Sequence, residues 1–256
     1  MGLEWVSVKK LALASLFLLG AVDGRAASDP RAVAAAQSLQ DALGGPSAWE
    51  KARFFRFDFV VMSEGKKVAS FSHWWDRYDG RYRVEGVGKD GVAWQAYFNV
   101  NTRKGEFFKN GARTEGSERD AGLERAYGRF INDTYWLLAP WKTLDPGVDL
   151  EYAGEVLDSE GRACEEIKLS FEGVGLTPKD IYWMDIDRKT HRMNQWKYVL
   201  NGANEPQTVA VWKEWGTFGP IGLSTIKSMV GRPVEIRFEN LAVSEVPDDA
   251  ALTPPR

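Results

Sequence analysis

A chain of 256 residues with 33 Lys plus Arg against 36 Asp plus Glu carries a formal charge of −3, which excludes a nucleic-acid binder that works by broad phosphate neutralisation. With 44% apolar and 27% charged residues the chain can bury a core and is not disordered, and its single cysteine excludes an intramolecular disulfide framework or a thiolate zinc site. Thirteen Phe, 11 Trp and 8 Tyr against two His point to packing and apolar contact rather than acid–base chemistry.

The N-terminus has the order of a secretory signal. Lys9 and Lys10 precede an apolar run over residues 11–22, and the small residues Gly24, Ala26 and Ala27 follow it. Twelve helical residues rise about 18 Å, short of the roughly 30 Å hydrocarbon layer, so export with cleavage after Ala26 is expected rather than a spanning anchor. Residues 27–246 then form one periplasmic domain and residues 247–256, rich in proline, a mobile tail. A lone cysteine in an oxidising compartment is expected to be a buried strand residue, which suits Cys164.

Along this domain the periods change in a regular order. Asp29 and Pro30 start a helix over residues 30–43, with Val33, Ala36, Leu39 and Leu43 at helical spacing and Gly44-Gly45-Pro46 as its stop. From residue 53 the period drops to two, and strands are expected over 53–61, 68–76, 82–85, 92–100 and 104–109. A second helix over about 118–135, capped by Ser117 and Asp120, turns Leu123, Tyr127, Phe130, Ile131 and Thr134 to one side and runs into an aromatic segment broken at Pro140. Strands return over 148–156, 164–171, 179–187, 193–201, 208–215, 222–229 and 234–243. No βαβ spacing occurs, so a parallel sheet is excluded. A mainly β fold with two helices (α+β) is expected, its sheet of about eleven strands curling as an antiparallel half-barrel with the helices on the concave side.

Candidate chemistry is sparse. Residues 86–91 match G-x-G-x-x-G, but a strand follows, so no helix N-terminus is offered to a phosphate and the segment is expected to be a hairpin loop. If Glu64-Gly65 is a two-residue turn, Val61 faces Val68, Phe59 faces Ser70, Phe57 faces Ser72 and Phe55 faces Trp74. Two large rings opposite serines leave space for an apolar ligand. The same register sets His73 opposite Arg56 and diagonal to Asp58, an outer-face polar cluster. Asp185 and Asp187 end a strand, with no third ligand that would make a metal site, and His191 lies in a turn. Glu165 and Glu166 alternate across one strand, and Ser224 lacks the second glycine of a nucleophile elbow. No catalytic residue, metal or cofactor is expected.

Two hairpins carry a resemblance. Residues 74–84 (WWDRYDGRYRV) and 182–193 (YWMDIDRKTHRM) resemble the strand-turn-strand units of the periplasmic LolA/LolB-like lipoprotein carriers, with Tyr78 where those often have Pro and His191 where they often have Gly. The resemblance implies a half-barrel with an apolar concave face under a helical lid, holding lipid or lipoprotein acyl chains without turnover. Its partners would be those chains and an inner-membrane exporter or outer-membrane acceptor. A monomer that binds no nucleic acid is expected. The residues expected to line face and lid are Phe55, Phe57, Phe59, Trp74, Trp94, Phe98, Leu123, Tyr127, Phe130, Ile131, Trp183 and Trp196. Burying a sixteen-carbon chain at about 0.8 kcal/mol per methylene supplies roughly 12 kcal/mol before ordering costs, so such a face binds without catalytic groups. The alternatives are an envelope enzyme acting on a lipid or glycan through Asp58, His73, Asp185 or Asp187, and a carbohydrate or partner-protein binder using exposed Trp.

Overall fold

The computed structural model describes residues 28–171, 180–200 and 207–255. The expected export signal lies outside them. Two helices come first: α1 (Pro30–Ala42), where the Asp29 side chain accepts from the Arg31 N–H and Pro30 needs no donor of its own, and α2 (Gly45–Lys51). α2 was not expected. Gly44 and Gly45 have φ of 122° and 76°, so they do stop α1, but Pro46 then sits in the first turn of a new helix.

The strands β1 (Phe54–Ser63), β2 (Lys66–Asp76), β3 (Arg81–Val87), β4 (Ala93–Asn99), β5 (Gly105–Lys109) and β6 (Ala112–Arg113) form a first meander. The long helix α3 (Gly116–Leu138) and a 3₁₀ turn (Ala139–Lys142) follow. α3 begins before the expected capping pair, at Gly116, and no side chain caps it. The second meander runs β7 (Val148–Leu157), β8 (Ala163–Phe171), β9 (Ile181–Asp187), β10 (Met193–Val199), β11 (Thr208–Phe218), β12 (Ile221–Met229) and β13 (Val234–Ser244).

All of these strands belong to one antiparallel sheet of 13 strands, more than the expected eleven, in the order β6-β5-β4-β3-β2-β1-β13-β12-β11-β10-β9-β8-β7. Each meander is a run of hairpins, and β13 joins them by returning beside β1, so the sheet curls but keeps two edges, β6 and β7. The loop over 88–92, between β3 and β4, is a hairpin connection.

The helices lie on one side, here called the inner face. Alternate residues of the strands meet them there: Phe55, Phe57 and Phe59 of β1, Trp75 of β2, Tyr82 and Val84 of β3, and Trp196 and Trp212 of the second meander form one buried cluster with Leu123, Ala126, Tyr127 and Ile131 of α3. α1 presents mainly small side chains, Ala32, Ala35 and Ala36 with Leu39, and packs against β7 and β8. Close approach of α3 to β5 depends on Gly122, since a Cβ there would stand 2.4 Å from the Phe107 ring. Gly122→Ala would raise helix propensity by up to about 1 kcal/mol, but overpacking costs about 1–3 kcal/mol. The variant is expected to melt several degrees lower; a higher melting temperature would show that α3 has room to shift.

The first hairpin corrects the expected register. Ser63 pairs with Lys66 as anticipated, but Met62 pairs with Lys67 and Val61 with Ala69, so Val68 is the extra residue of a bulge. Beyond it every partner moves by one and every β2 side chain changes face. Phe59 therefore faces Phe71, Phe57 faces His73 and Phe55 faces Trp75, and the expected space opposite serines does not exist.

At the C-terminus, the segment expected to be mobile lies along the outer face of the first meander. Arg83 donates to the Ala251 carbonyl at 3.2 Å, Arg81 pairs with Asp249 at 2.8 Å, and Leu252 is buried.

Candidate functional site

The inner face is closed by its own rings. Phe59 and Phe57 both pack on Phe238 with ring centroids 5.6 Å apart, and Phe130 of α3 lies edge-on to Tyr82 at 4.8 Å and to Trp75 at 5.3 Å. Of the candidate residues, Phe55, Phe57, Phe59, Phe98, Leu123, Tyr127, Ile131 and Trp196 are buried there, with Trp94 and Phe130 half-buried against them.

Trp74 and Trp183 do not belong to this group. The Val68 bulge turns Trp74 to the outer face, where the guanidiniums of Arg56 and Arg83 stand 4.5 Å and 4.2 Å from its ring centre, leaving little of that ring to a sugar. Trp183 alternates with the inner Tyr182 and Met184 and faces outward beside its register partners Lys168 and Lys197.

Within this apolar interior sits a polar cluster that the shifted register creates. His73 is fully buried, its ring stacked on Phe57 at 4.6 Å. Its Nδ1 lies 2.6 Å from the Tyr82 hydroxyl and its Nε2 lies 3.1 Å from Oδ2 of Asp133, a fully buried residue of α3. On the other carboxylate oxygen Asp133 accepts from Asn132 Nδ2 at 2.7 Å and pairs with Arg129 Nη2 at 3.0 Å, one helical turn back. Arg129 in turn spreads over Phe71 at 4.4 Å. A neutral imidazole accepts the Tyr82 proton at Nδ1, while its Nε2 and Asp133 Oδ2 face each other at 3.1 Å without the geometry of a directed hydrogen bond. β2, β3 and α3 are thus tied together at one buried point. Period two along Phe71, His73 and Trp75 already marks the more apolar face of β2, and Arg129 with Asp133 is an i,i+4 pair; those signals were available in the sequence.

Burial pushes the His73 pKa below its ordinary 6.5, outweighing the upward pull of Asp133. As pH falls through the unfolded value, the unfolded chain takes up this proton before the folded one, so the stability is intact above about 6.5 and is lost below it, by at most about 1.4 kcal/mol per pH unit. Asp185 acts in the opposite sense, since burial pushes its carboxyl up to about 6 and the folded state takes up that proton first. The difference between wild type and His73→Gln isolates the histidine. Melting temperatures between pH 8 and 5 are expected to fall more steeply for wild type; parallel slopes would mean that His73 does not titrate in this window.

The second meander adds an aromatic hub. Trp196 touches Tyr135, Trp136, Tyr182, Tyr198 and Trp212 with ring centroids between 4.6 Å and 6.2 Å apart. Next to Trp212 stands Lys227 of β12, a fully buried lysine that the sequence reading passed over although it shares a strand face with Ile221 and Leu223.

The remaining acidic candidates are structural in their contacts. Asp58 accepts from Arg56 at 2.7 Å and Asn240 at 2.6 Å, well away from His73's face. Asp185 accepts from Gln195 at 2.5 Å and pairs with Lys197 at 2.9 Å, and Lys197 also bonds Glu166. Asp187 receives the Lys189 and Thr190 N–H groups at 2.8 Å and so fixes the β9–β10 turn. Cys164 is buried, and its thiol is pushed up to about 11 mainly by that burial. Among the described residues no group of three or more His, Cys, Asp or Glu is placed to hold a metal ion. A surface recess of about 440 Å³ lies on the outer side, between Phe108, Arg113 and Pro254.

The sheet order, with helices on one side of an open antiparallel sheet, can be compared with solved structures. A DUF1329 family protein from Desulfovibrio piger superposes with a TM-score of 0.52 at 13% identity, over 88% of this chain and 98% of that one. The two share a fold. A putative outer membrane lipoprotein-sorting protein domain from Vibrio parahaemolyticus (TM-score 0.48, 6% identity, 87% and 96% coverage) and a LolA superfamily protein from Nitrosomonas europaea (0.48, 8%, 84% and 97%) are further neighbours. No protein-family profile matches the chain, and no curated protein does. No helix among the described residues is long and apolar enough to cross a membrane.

Proposed function

We propose that the protein is a periplasmic carrier that binds acyl chains of a lipid or lipoprotein on the inner face of its sheet, under α3 as a lid, and performs no turnover on them. The observation that carries this reading is the way the inner face is covered. The large aromatic inner face of an open sheet is covered by the helices, and the longest of them, α3, is pinned in its C-terminal half by one buried polar cluster, His73 with Asp133 and Arg129, rather than by apolar contact alone. Apolar contact is non-directional and tolerates exchange of an acyl chain for a helix face, while the polar pin defines one closed position. The inner face is packed closed, and a dry cavity of acyl size there would forgo those contacts. The export signal expected from residues 9–27 and the family resemblance of residues 74–84 and 182–193 support the compartment and the class of ligand.

Native mass spectrometry of the protein purified from its host envelope tests this directly. Bound lipid, or saturable binding of a fluorescent fatty-acyl probe by delipidated protein, is the expected result. Absence of both, with the protein folded, overturns the carrier reading. Turnover of a lipid or glycan that is lost in His73→Gln would instead favour an enzyme.

A further inference from the structure

Lys227 stands in the interior with no charge to meet it. Its side chain runs between Trp212 and Phe238, with Nζ 4.3 Å from each ring centre, and its one hydrogen bond among the described residues goes to the Ser224 carbonyl. Among those residues no carboxylate pairs with it. Burial alone drives its pKa well below the ordinary 10.5. A methionine of similar length would pack there without the desolvation penalty of a buried amine that no carboxylate meets.

The groups around it are donors as well. The indole N–H groups of Trp212, Trp196 and Trp215 are buried and find no acceptor among the described residues, and both Trp196 and Trp215 are ring neighbours of Trp212, at 6.2 Å and 6.1 Å. Four donor side chains gathered on one face with a single acceptor between them is the inverse of a satisfied core, where buried polar groups are matched. What the set lacks is negative oxygen.

We infer that Lys227, with the indole N–H groups about Trp212, receives the oxyanion head of an acyl amphiphile, a carboxylate or a phosphate, while the chain of that amphiphile lies along the inner face. The inference rests on the carrier reading and narrows its ligand class. An oxyanion supplies the missing countercharge and several acceptor lone pairs at once, and charge-assisted bonds of this kind are about twice as strong as neutral ones. Neutral lipids of the same length bring only the chain.

The full chain, delipidated, is titrated with oleate, with 1-oleoyl-lysophosphatidate and with oleyl alcohol, followed by tryptophan fluorescence and equilibrium dialysis. Wild type is expected to bind at least one of the two anions about ten-fold or more tightly than the alcohol, and the preferred anion identifies the head group. In Lys227→Met that preference is expected to shrink to within about two-fold, and the variant should melt higher than wild type. Equal binding of alcohol and both anions by wild type overturns the inference and leaves the carrier reading intact, as does an anion preference that survives in Lys227→Met. Should that variant not fold, the wild-type series decides alone. Failure of all three ligands to bind removes the carrier reading and this inference with it.

Discussion

Asp133→Asn is expected to lower the melting temperature by roughly 10 °C. The substitution removes the charge that Arg129 and His73 share, and breaking a buried pair by removing one partner costs about 3–5 kcal/mol. For a domain of this size each kcal/mol moves the midpoint by about 2–4 °C. The triple variant His73→Phe, Arg129→Met, Asp133→Leu replaces the cluster by apolar groups of comparable bulk and is expected to recover most of that loss. It should also slow the exchange of a bound acyl probe, because the lid would then be held by well-packed apolar contact that has to be broken as a unit. Thermal denaturation followed by circular dichroism separates the two stabilities. A single variant that melts within about 2 °C of wild type would mean that the cluster does not hold α3 to the sheet.

Truncation of Trp196 is the second large effect. Trp196→Ala deletes the ring that five other aromatic residues contact, and the loss for a buried Trp is about 3–5 kcal/mol because the surrounding rings cannot all collapse into the space. A fall of roughly 10 °C or more is expected, with Trp196→Phe in between. Trp183→Ala, at a half-buried ring on the opposite face of the sheet, should change stability by less than about 1 kcal/mol. Equal losses for Trp183→Ala and Trp196→Ala would contradict the assignment of the two faces.

Much of this architecture is legible in the sequence because it rests on period and punctuation. Phe55, Phe57 and Phe59 alternate with Arg56 and Asp58, and the inner face of β1 is where that alternation puts it. Asp29-Pro30 marks the start of α1, and the absence of βαβ spacing excludes the parallel sheet. What escapes is whatever a single residue decides. Val68, an ordinary β-former, is extruded as a bulge, and that one residue reverses the faces of His73, Trp74 and Trp75. Pro46 reads as a stop for α1 yet opens α2, since proline suits both a helix exit and a first turn. β6, with two residues, is too short to show a period. The polar cluster needs three elements distant in sequence to meet, so the i,i+4 spacing of Arg129 and Asp133 does not by itself point to His73 or Tyr82, while Lys227 carries only the parity of its strand.

The pairing of β1 with β13 has a kinetic consequence. Phe54 lies opposite Ser244 and Ser63 opposite Val234, so the two halves of the sheet are joined by residues some of the most widely separated in the chain. Each meander closes through local hairpins, which form early, but the ladder between them waits for the last strand to exist and to find the first. Until then the outer edge of β1, including Phe55, Phe57 and Phe59, is an unpaired apolar strand, the kind of edge that recruits other chains. Completion of the sheet and protection from aggregation are therefore the same late event, and a chain that stops short of β13 loses both.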